Sequence, residues 1–368
     1  MRYLGIEEVE NIAIGAAVLG TGGGGDPYIG KMMTIEAIKK YGKVPMLTFD
    51  DVKDDDLIIP LSSIGAPTVS IEKIPAEIEL TAPLDEIEKE LGKKATAIMP
   101  IEIGGINSLI PVATAAIRGI PILDADAMGR AFPESQMVTF HLDGLKPAPV
   151  TMADEKGNTV LLNPMNGEWS ERLARAVTIQ MGGSATMCDY ALDGKTMKQS
   201  ALPNTLSLAE EIGKIIRESE TKGIDAIQAL LQKLNGFELF QGKTTDIRRK
   251  IDGGFTKGEA LIEGINHDQH ENLRLFFQNE HLLAVNEKTN EPLAITPDLI
   301  AVLDLETGTP ITTEGLRYGA RVIVVSFPCH EKWRSEAGIK TAGPRYFGYD
   351  YPYTPVEHLE KRGEVHGK

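Results

Sequence analysis

At 368 residues, 42% of them hydrophobic, the chain is long enough for two domains with separate cores. A formal net charge of -15 argues against nucleic acid and anionic membrane surfaces as partners. The two cysteines, Cys188 and Cys329, lie far apart and outside any CxxC pair, which argues against a disulfide framework or a zinc ribbon.

The first stretch, "MRYLGIEEVENIAIG", carries acids within its apolar pattern and does not read as a signal peptide. No apolar run reaches membrane-spanning length, so a cytoplasmic location is expected. Ile6, Val9, Ala13, Ala16 and Ala17 fall at helical spacing, with Glu7 and Glu8 in the first turn. "LGTGGGGDPYIG" follows, Leu19 to Gly30. Asp26 stands where an N-cap belongs and Pro27 at the first helical position, opening a helix to about Tyr41.

Asp56–Pro67 reads as a buried strand, Pro83–Leu91 as a short helix and Ala95–Gly105 as a strand ending in a glycine pair. Asn107–Arg118 reads as a helix closed by Gly119, and another strand begins at Ile120. This alternation predicts an α/β domain over residues 1–165 with a mainly parallel or mixed sheet. A hairpin turning at Lys156-Gly157-Asn158 is expected near its end. Helices are expected over Trp169–Met181, Leu206–Ser219 and Ile224–Leu234. From Phe237 the chain is strand-rich with glycine and asparagine turns, so residues 166–358 read as an antiparallel β-rich domain carrying a few helices. Residues 359–368 read as a frayed tail.

Three loops carry residues suited to chemistry. Gly22, Gly23, Gly24 and Gly25 can reach positive φ and present free amides to an anion, with Asp26 at the mouth. No Lys-Ser/Thr follows, so a P-loop is excluded, and a carboxylate, carbonyl or oxyanion suits the nest better than a triphosphate. The alternative is a tight turn that needs close backbone approach. In "LDADAMGRAFPE", Asp124 and Asp126 end a predicted strand and could share a face, as an acid–base pair or as candidate ligands of a divalent metal. Arg130 is a candidate anion fork, with Glu134 to hold it; the plainer reading is a helix cap and an i,i+4 pair. In "PIEIGGINS", Glu102 is a second candidate base, Gly104 and Gly105 offer further amides, and Asn107 is either a cap or a substrate contact. No motif demands an organic cofactor. There is no GxSxG or HExxH, and Cys329 and His330 are adjacent and face apart on a strand. "MGGSATMCDY" (Met181–Tyr190) and the aromatic-rich "GPRYFGYDYPYTPVE" (Gly343–Glu357) also stand out, the latter as a pocket wall or a segment packed across a domain interface.

At "LGTGGGGDPYIG", "IEIGGINS", "DADAMGRAFPESQM", "LDLETGTPITTEGLRYG" and "GPRYFGYDYPYTPVE" the chain resembles the S-methyl-thiohydantoin desulfurase family, from the first helix to about Glu357. Members of that family occur beside, or fused to, hydantoinase/oxoprolinase-type enzymes. The resemblance implies two domains and chemistry on a cyclic ureide or thioureide, in which water replaces methylthiolate on an S-methyl-thiohydantoin. Such a reaction needs a base for water and a donor for the ring nitrogen. Asp124 or Asp126 is assigned as base or metal ligand, Glu102 as the next candidate, and Arg130 as an orienter of a substrate carboxylate or carbonyl. A hydantoinase-like hydrolase, an accessory subunit of a hydantoinase/oxoprolinase-type partner, and a non-catalytic module binding a carboxylate or nucleotide are the competing expectations. The apolar β strands leave room for a homo-oligomer.

Overall fold

The computed structural model describes residues 1–65, 69, 73 and 76–363. Strands β1 (Arg2–Leu4), β2 (Val44–Leu47), β3 (Leu57–Gly65), β4 (Ala97–Pro100) and β5 (Ile122–Leu123) are followed by β6 (Ala125–Asp126), β7 (Val150–Ala153), β8 (Thr159–Leu162), β9 (Ser184–Cys188), β10 (Leu192–Asp193) and β11 (Leu202–Pro203). One mixed sheet runs in the order β1-β2-β5-β4-β3-β9-β7-β8, with β10 beside β3. Strands β2, β5, β4 and β3 are parallel; β9 pairs antiparallel with β3, and β7 antiparallel with β9. Strands β9 and β10 lie past residue 165, so the second half of the sequence completes the first sheet. The second sheet is antiparallel throughout. It comprises β12 (Phe237–Asp252), β13 (Phe255–Gly264), β14 (Asn272–Gln278), β15 (Glu280–Asn286), β16 (Pro292–Ile295), β17 (Leu299–Asp304) and β18 (Arg321–Phe327), in the order β16-β15-β14-β13-β12-β18-β17. The fold is therefore α/β with a mixed first sheet, joined to an antiparallel, curled β domain.

The helices are α1 (Ile6–Leu19), α2 (Pro27–Tyr41), α3 (Glu77–Leu91), α4 (Ile110–Arg118), α5 (Thr139–Leu142), α6 (Gly167–Gln180), α7 (Gly194–Ser200), α8 (Thr205–Lys222), α9 (Ala226–Leu234), α10 (Glu336–Ala342) and α11 (Val356–Gly363). Helix α1 is buried along most of its length and crosses α8 at two glycines. A Cβ on Gly15 would stand 1.8 Å from the Ala209 carbonyl oxygen, and one on Gly213 would stand 1.9 Å from that of Asn11. Only hydrogen fits at that crossing. Helix α2 starts and ends where its cap residues predict: Asp26 Oδ1 accepts from the Tyr28 amide at 2.8 Å and Pro27 is the first helical residue.

Three elements differ from the sequence reading. Helix α3 begins at Glu77 and carries Pro83 inside it, losing one amide donor without ending there. Residues 105–108 form a 3₁₀ turn ahead of α4, and Asn107 does not cap that helix. Helix α11 continues to Gly363, into the stretch expected to fray; of that stretch, residues 364–368 lie outside the described residues, as do residues 66 and 67 of the expected Asp56–Pro67 strand. No helix among the described residues is long and apolar enough to cross a membrane.

Candidate functional site

A cleft of about 670 Å³, counting its open mouth, lies beyond the carboxyl ends of β3 and β4, where parallel α/β sheets hold ligands. Gly24, Gly25, Ser62, Ser63, Glu102, Asn107, Glu134, Arg175, Asn279 and Glu280 contribute its polar lining. Ile101, Ile106, Met128, Phe132 and Met187 contribute its apolar walls. Glu280 reaches it from the hairpin between β14 and β15, so the site draws on both sheets.

Glu102 follows β4 as the chain leaves the sheet and is fully buried. Its Oε1 accepts from Asn107 Nδ2 at 2.5 Å and its Oε2 from the Phe132 amide at 3.3 Å. Asn107 is fixed in turn by Ser63, whose amide donates to Oδ1 at 2.7 Å and whose carbonyl accepts from Nδ2 at 3.2 Å. Burial, the dominant influence, pushes the Glu102 carboxyl up to about 7 against these hydrogen bonds. Glu280 is also raised, well above its ordinary value. Desolvation comes first and the Glu102 carboxyl second, opposed by the Arg130 guanidinium. Its Oε1 accepts from the Gly24 amide at 3.1 Å, while Oε2 has no partner among the described residues. Asp126 adds to the rise of Glu102, as Glu102 adds to that of Glu280, and two buried acids at one cleft, both raised, form a pair suited to sharing a proton.

The tetraglycine run serves close approach, and one of its amides, that of Gly24, donates to the Glu280 carboxyl. Gly22, Gly24 and Gly25 have φ of 89°, 76° and 81°. A Cβ on Gly23 would stand 2.0 Å from Glu280 Oε1, and one on Gly22 would stand 2.5 Å from the His281 ring. A Cβ on Gly105 would meet the Gly25 carbonyl at 2.1 Å. The carboxylate that the Gly24 amide holds is thus the protein's own. Asp26 caps α2, and neither it nor Gly104 is among the residues lining the cleft.

Asp124 and Asp126 do not converge. The strand breaks between them: β5 ends at Leu123, and β6 pairs with β11 in a separate two-stranded sheet. The regular alternation that would put both carboxylates on one face is therefore lost. Asp124 turns to the start of α8, where Oδ1 accepts from the Ser207 amide at 3.0 Å and Oδ2 from the Ser207 hydroxyl. Asp126 is buried beneath the Glu102 loop. Its Oδ2 accepts from the amides of Ile103 (2.7 Å), Gly129 (2.8 Å) and Met128 (3.2 Å), and burial pushes its carboxyl up to about 7. The pair does not form a metal-ligand set, and among the described residues no three His, Cys, Asp or Glu side chains do.

Arg130 is completely buried and faces the protein, not the cleft. Its guanidinium donates to the carbonyls of Ala131 (2.9 Å), Pro297 (2.9 Å) and Asp298 (2.8 Å) and to Thr21 Oγ1 (2.9 Å), and lies 4.4 Å from the Phe132 ring centroid. It ties the glycine turn to the β domain, and no Arg130–Glu134 pair forms. Glu134 lines the cleft and accepts from Tyr346 OH (2.6 Å) and Gln136 Nε2 (2.5 Å). The aromatic C-terminal segment thereby packs across the interface while touching the cleft rim. The cation that does line the cleft is Arg175, held by Glu171 at 2.7 Å and stacked 4.4 Å from the Phe255 ring centroid.

Glu280, Arg175, Ser62 and Asn279 escape the sequence reading. Glu280 and His281 gave one usable signal: an ionisable pair at the head of the apolar run "EHLLAV". His281 is buried, and desolvation lowers it to about 4, leaving a neutral ring whose Nδ1–H donates to the Ile300 carbonyl at 3.1 Å.

A crystal structure of a protein from Chromobacterium violaceum matches 97% of this chain and 100% of its own at 21% identity with a TM-score of 0.78, which shows a shared fold. No match is found among curated proteins. Two family models together span most of the sequence: the S-Me-THD-like N-terminal domain over residues 7–164 and the S-Me-THD-like C-terminal domain over residues 165–356. The chain belongs to the S-methyl-thiohydantoin desulfurase-like family.

Proposed function

We propose that the chain is a hydrolase of cyclic thioureides that replaces the methylthio group of an S-methyl-thiohydantoin with oxygen from water. The observation that carries this reading is the pair of buried carboxyls at one cleft, Glu102 and Glu280, both raised by desolvation, with the Glu102 carboxyl adding to the rise of Glu280. One ionised member takes a proton from water as its oxygen bonds to the ring carbon between the two nitrogens. The protonated member gives its proton to the ring nitrogen, where electron density gathers. Collapse of the tetrahedral centre breaks the carbon–sulfur bond. The new hydroxyl returns its proton to one carboxylate, and the other carboxylic acid protonates departing methylthiolate. The products are the hydantoin and methanethiol, and both acids regain their starting states.

Ser62, Ser63 and the walls of Ile101, Phe132 and Met187 suit a small flat ring. Arg175 takes the role first expected of Arg130, orienting an anionic substituent at the mouth. The test is methanethiol release by the purified chain from an S-methyl-thiohydantoin, with Glu102→Gln and Glu280→Gln alongside. Release by the natural chain and loss in both variants is expected. Release that persists in both, or appears only when a hydantoinase-type partner is added, overturns the reading.

A further inference from the structure

Helix α6 turns an apolar face outward. Met165, just before it, and Trp169 and Leu173 along it are 70%, 44% and 38% exposed. The spacing of four residues sets them on one side of the helix. Exposed Glu168 and Arg172 flank this stripe, also four apart. They do not pair with each other; the ion pair of this helix is Glu171–Arg175 on its half-buried side, and Arg172 instead lies 5.4 Å from the Trp169 ring centroid. Among the described residues neither enters an ion pair, so the patch carries one charge of each sign and is locally neutral on a chain of net charge -15.

We infer that this face joins two copies of the chain across a two-fold axis. An axis crossing α6 near Trp169 and Ser170, with the helices antiparallel, carries Met165 of one copy toward Leu173 of the other. The same operation carries Glu168 toward Arg172 and sets the two Trp169 rings side by side. Apolar and charged positions are thus self-complementary under one rotation, as an isologous contact requires. A strongly acidic partner of any other kind gains nothing from a neutral patch, whereas two acidic copies can approach only where repulsion is absent. Aromatic and methionine side chains with an arginine at the rim are the composition such contacts favour.

The experiment is sedimentation velocity on the full chain over about 1–100 µM, a range that brackets modest dimer affinities. The natural chain is expected to sediment as a dimer, and Trp169→Glu with Leu173→Glu as a monomer of unchanged melting temperature. Glu168→Arg alone, which sets like charges against Arg172 of the other copy, is expected to weaken the dimer about tenfold. Glu168→Arg combined with Arg172→Glu is expected to restore it, because the swap re-forms both pairs across the axis. A monomer at every concentration overturns the inference. So does a dimer indifferent to the apolar variants, or one that the charge swap fails to restore.

Discussion

Glu102→Gln separates what the buried acid does to stability from what it does to turnover. Burial holds the Glu102 carboxyl at about 7, above its ordinary 4.5. One pH unit corresponds to about 1.4 kcal/mol, so ionising Glu102 in the folded protein costs roughly 3 kcal/mol relative to the unfolded chain. Because the folded value is the higher one, the unfolded chain gives up its proton first. Stability is full below 4.5, falls between 4.5 and 7, and stays reduced above. Gln has no such ionisation. Its amide group, however, turns an N–H toward one of two donors, Asn107 Nδ2 or the Phe132 amide, and loses a hydrogen bond worth about 1 kcal/mol. At pH 8 the variant should therefore be the more stable protein by about 2 kcal/mol, and at pH 5 it should be about equal or slightly weaker. For a chain of this length that is a rise of roughly 2–3 °C at pH 8. Thermal melts of both proteins at the two pH values read it directly, and methanethiol release by the variant should drop about a hundredfold or more. A melting temperature lowered by the same amount at both pH values would refute the assignment of a buried, raised carboxyl.

Asp124→Asn should leave turnover near normal while lowering stability by about 1 kcal/mol, because its acceptors serve the start of α8; a chelator-independent loss of turnover would contradict this. Gly23→Ala drives a methyl group into Glu280 Oε1 and should abolish turnover while leaving a folded protein; normal turnover would show that Glu280 is dispensable. Arg175→Ala should raise KM for substrates with a carboxylate tail and leave kcat little changed, whereas equal loss for tailed and untailed rings would place Arg175 outside recognition.

How far the sequence discloses this molecule depends on the distance over which each feature is determined. Helix α2 is legible at its N-terminus because Asp26 and Pro27 act within one turn. The Glu102 loop is legible because a strand end in a parallel sheet is a local pattern with a global meaning. Asp124 and Asp126 mislead because two-residue alternation assumes a continuous strand, and here the chain changes sheets between them. Arg130 misleads because its acceptors Pro297 and Asp298 lie more than 160 residues away, on the second domain. Glu280 is hidden for the same reason. Its place beside Glu102 is set by contact between two sheets, and no spacing within either domain encodes that. The four glycines held the clue, since a turn alone needs fewer: two of them clear space for Glu280 and His281.

Charge balance in the buried cluster explains why the two acids would differ in protonation. Arg130 is lowered by desolvation only to about 10 and remains charged at neutral pH. It raises neither acid and opposes the rise of both. One buried cation can compensate one carboxylate, and a second ionised carboxylate at the same cleft has no counter-charge, so the pair holds one proton between them. Turnover should then follow a bell-shaped pH profile, with its two limbs belonging to the pair and not to either residue. Arg130→Lys keeps the charge and should keep both limbs near their original positions, although the lost carbonyl contacts lower stability. Arg130→Met removes the charge and should move the acidic limb upward, since forming the first carboxylate then lacks its compensation. Profiles of kcat measured on the folded fraction of each variant separate the two effects. An acidic limb that stays put in Arg130→Met would mean that the first ionisation draws its compensation from the backbone amides alone.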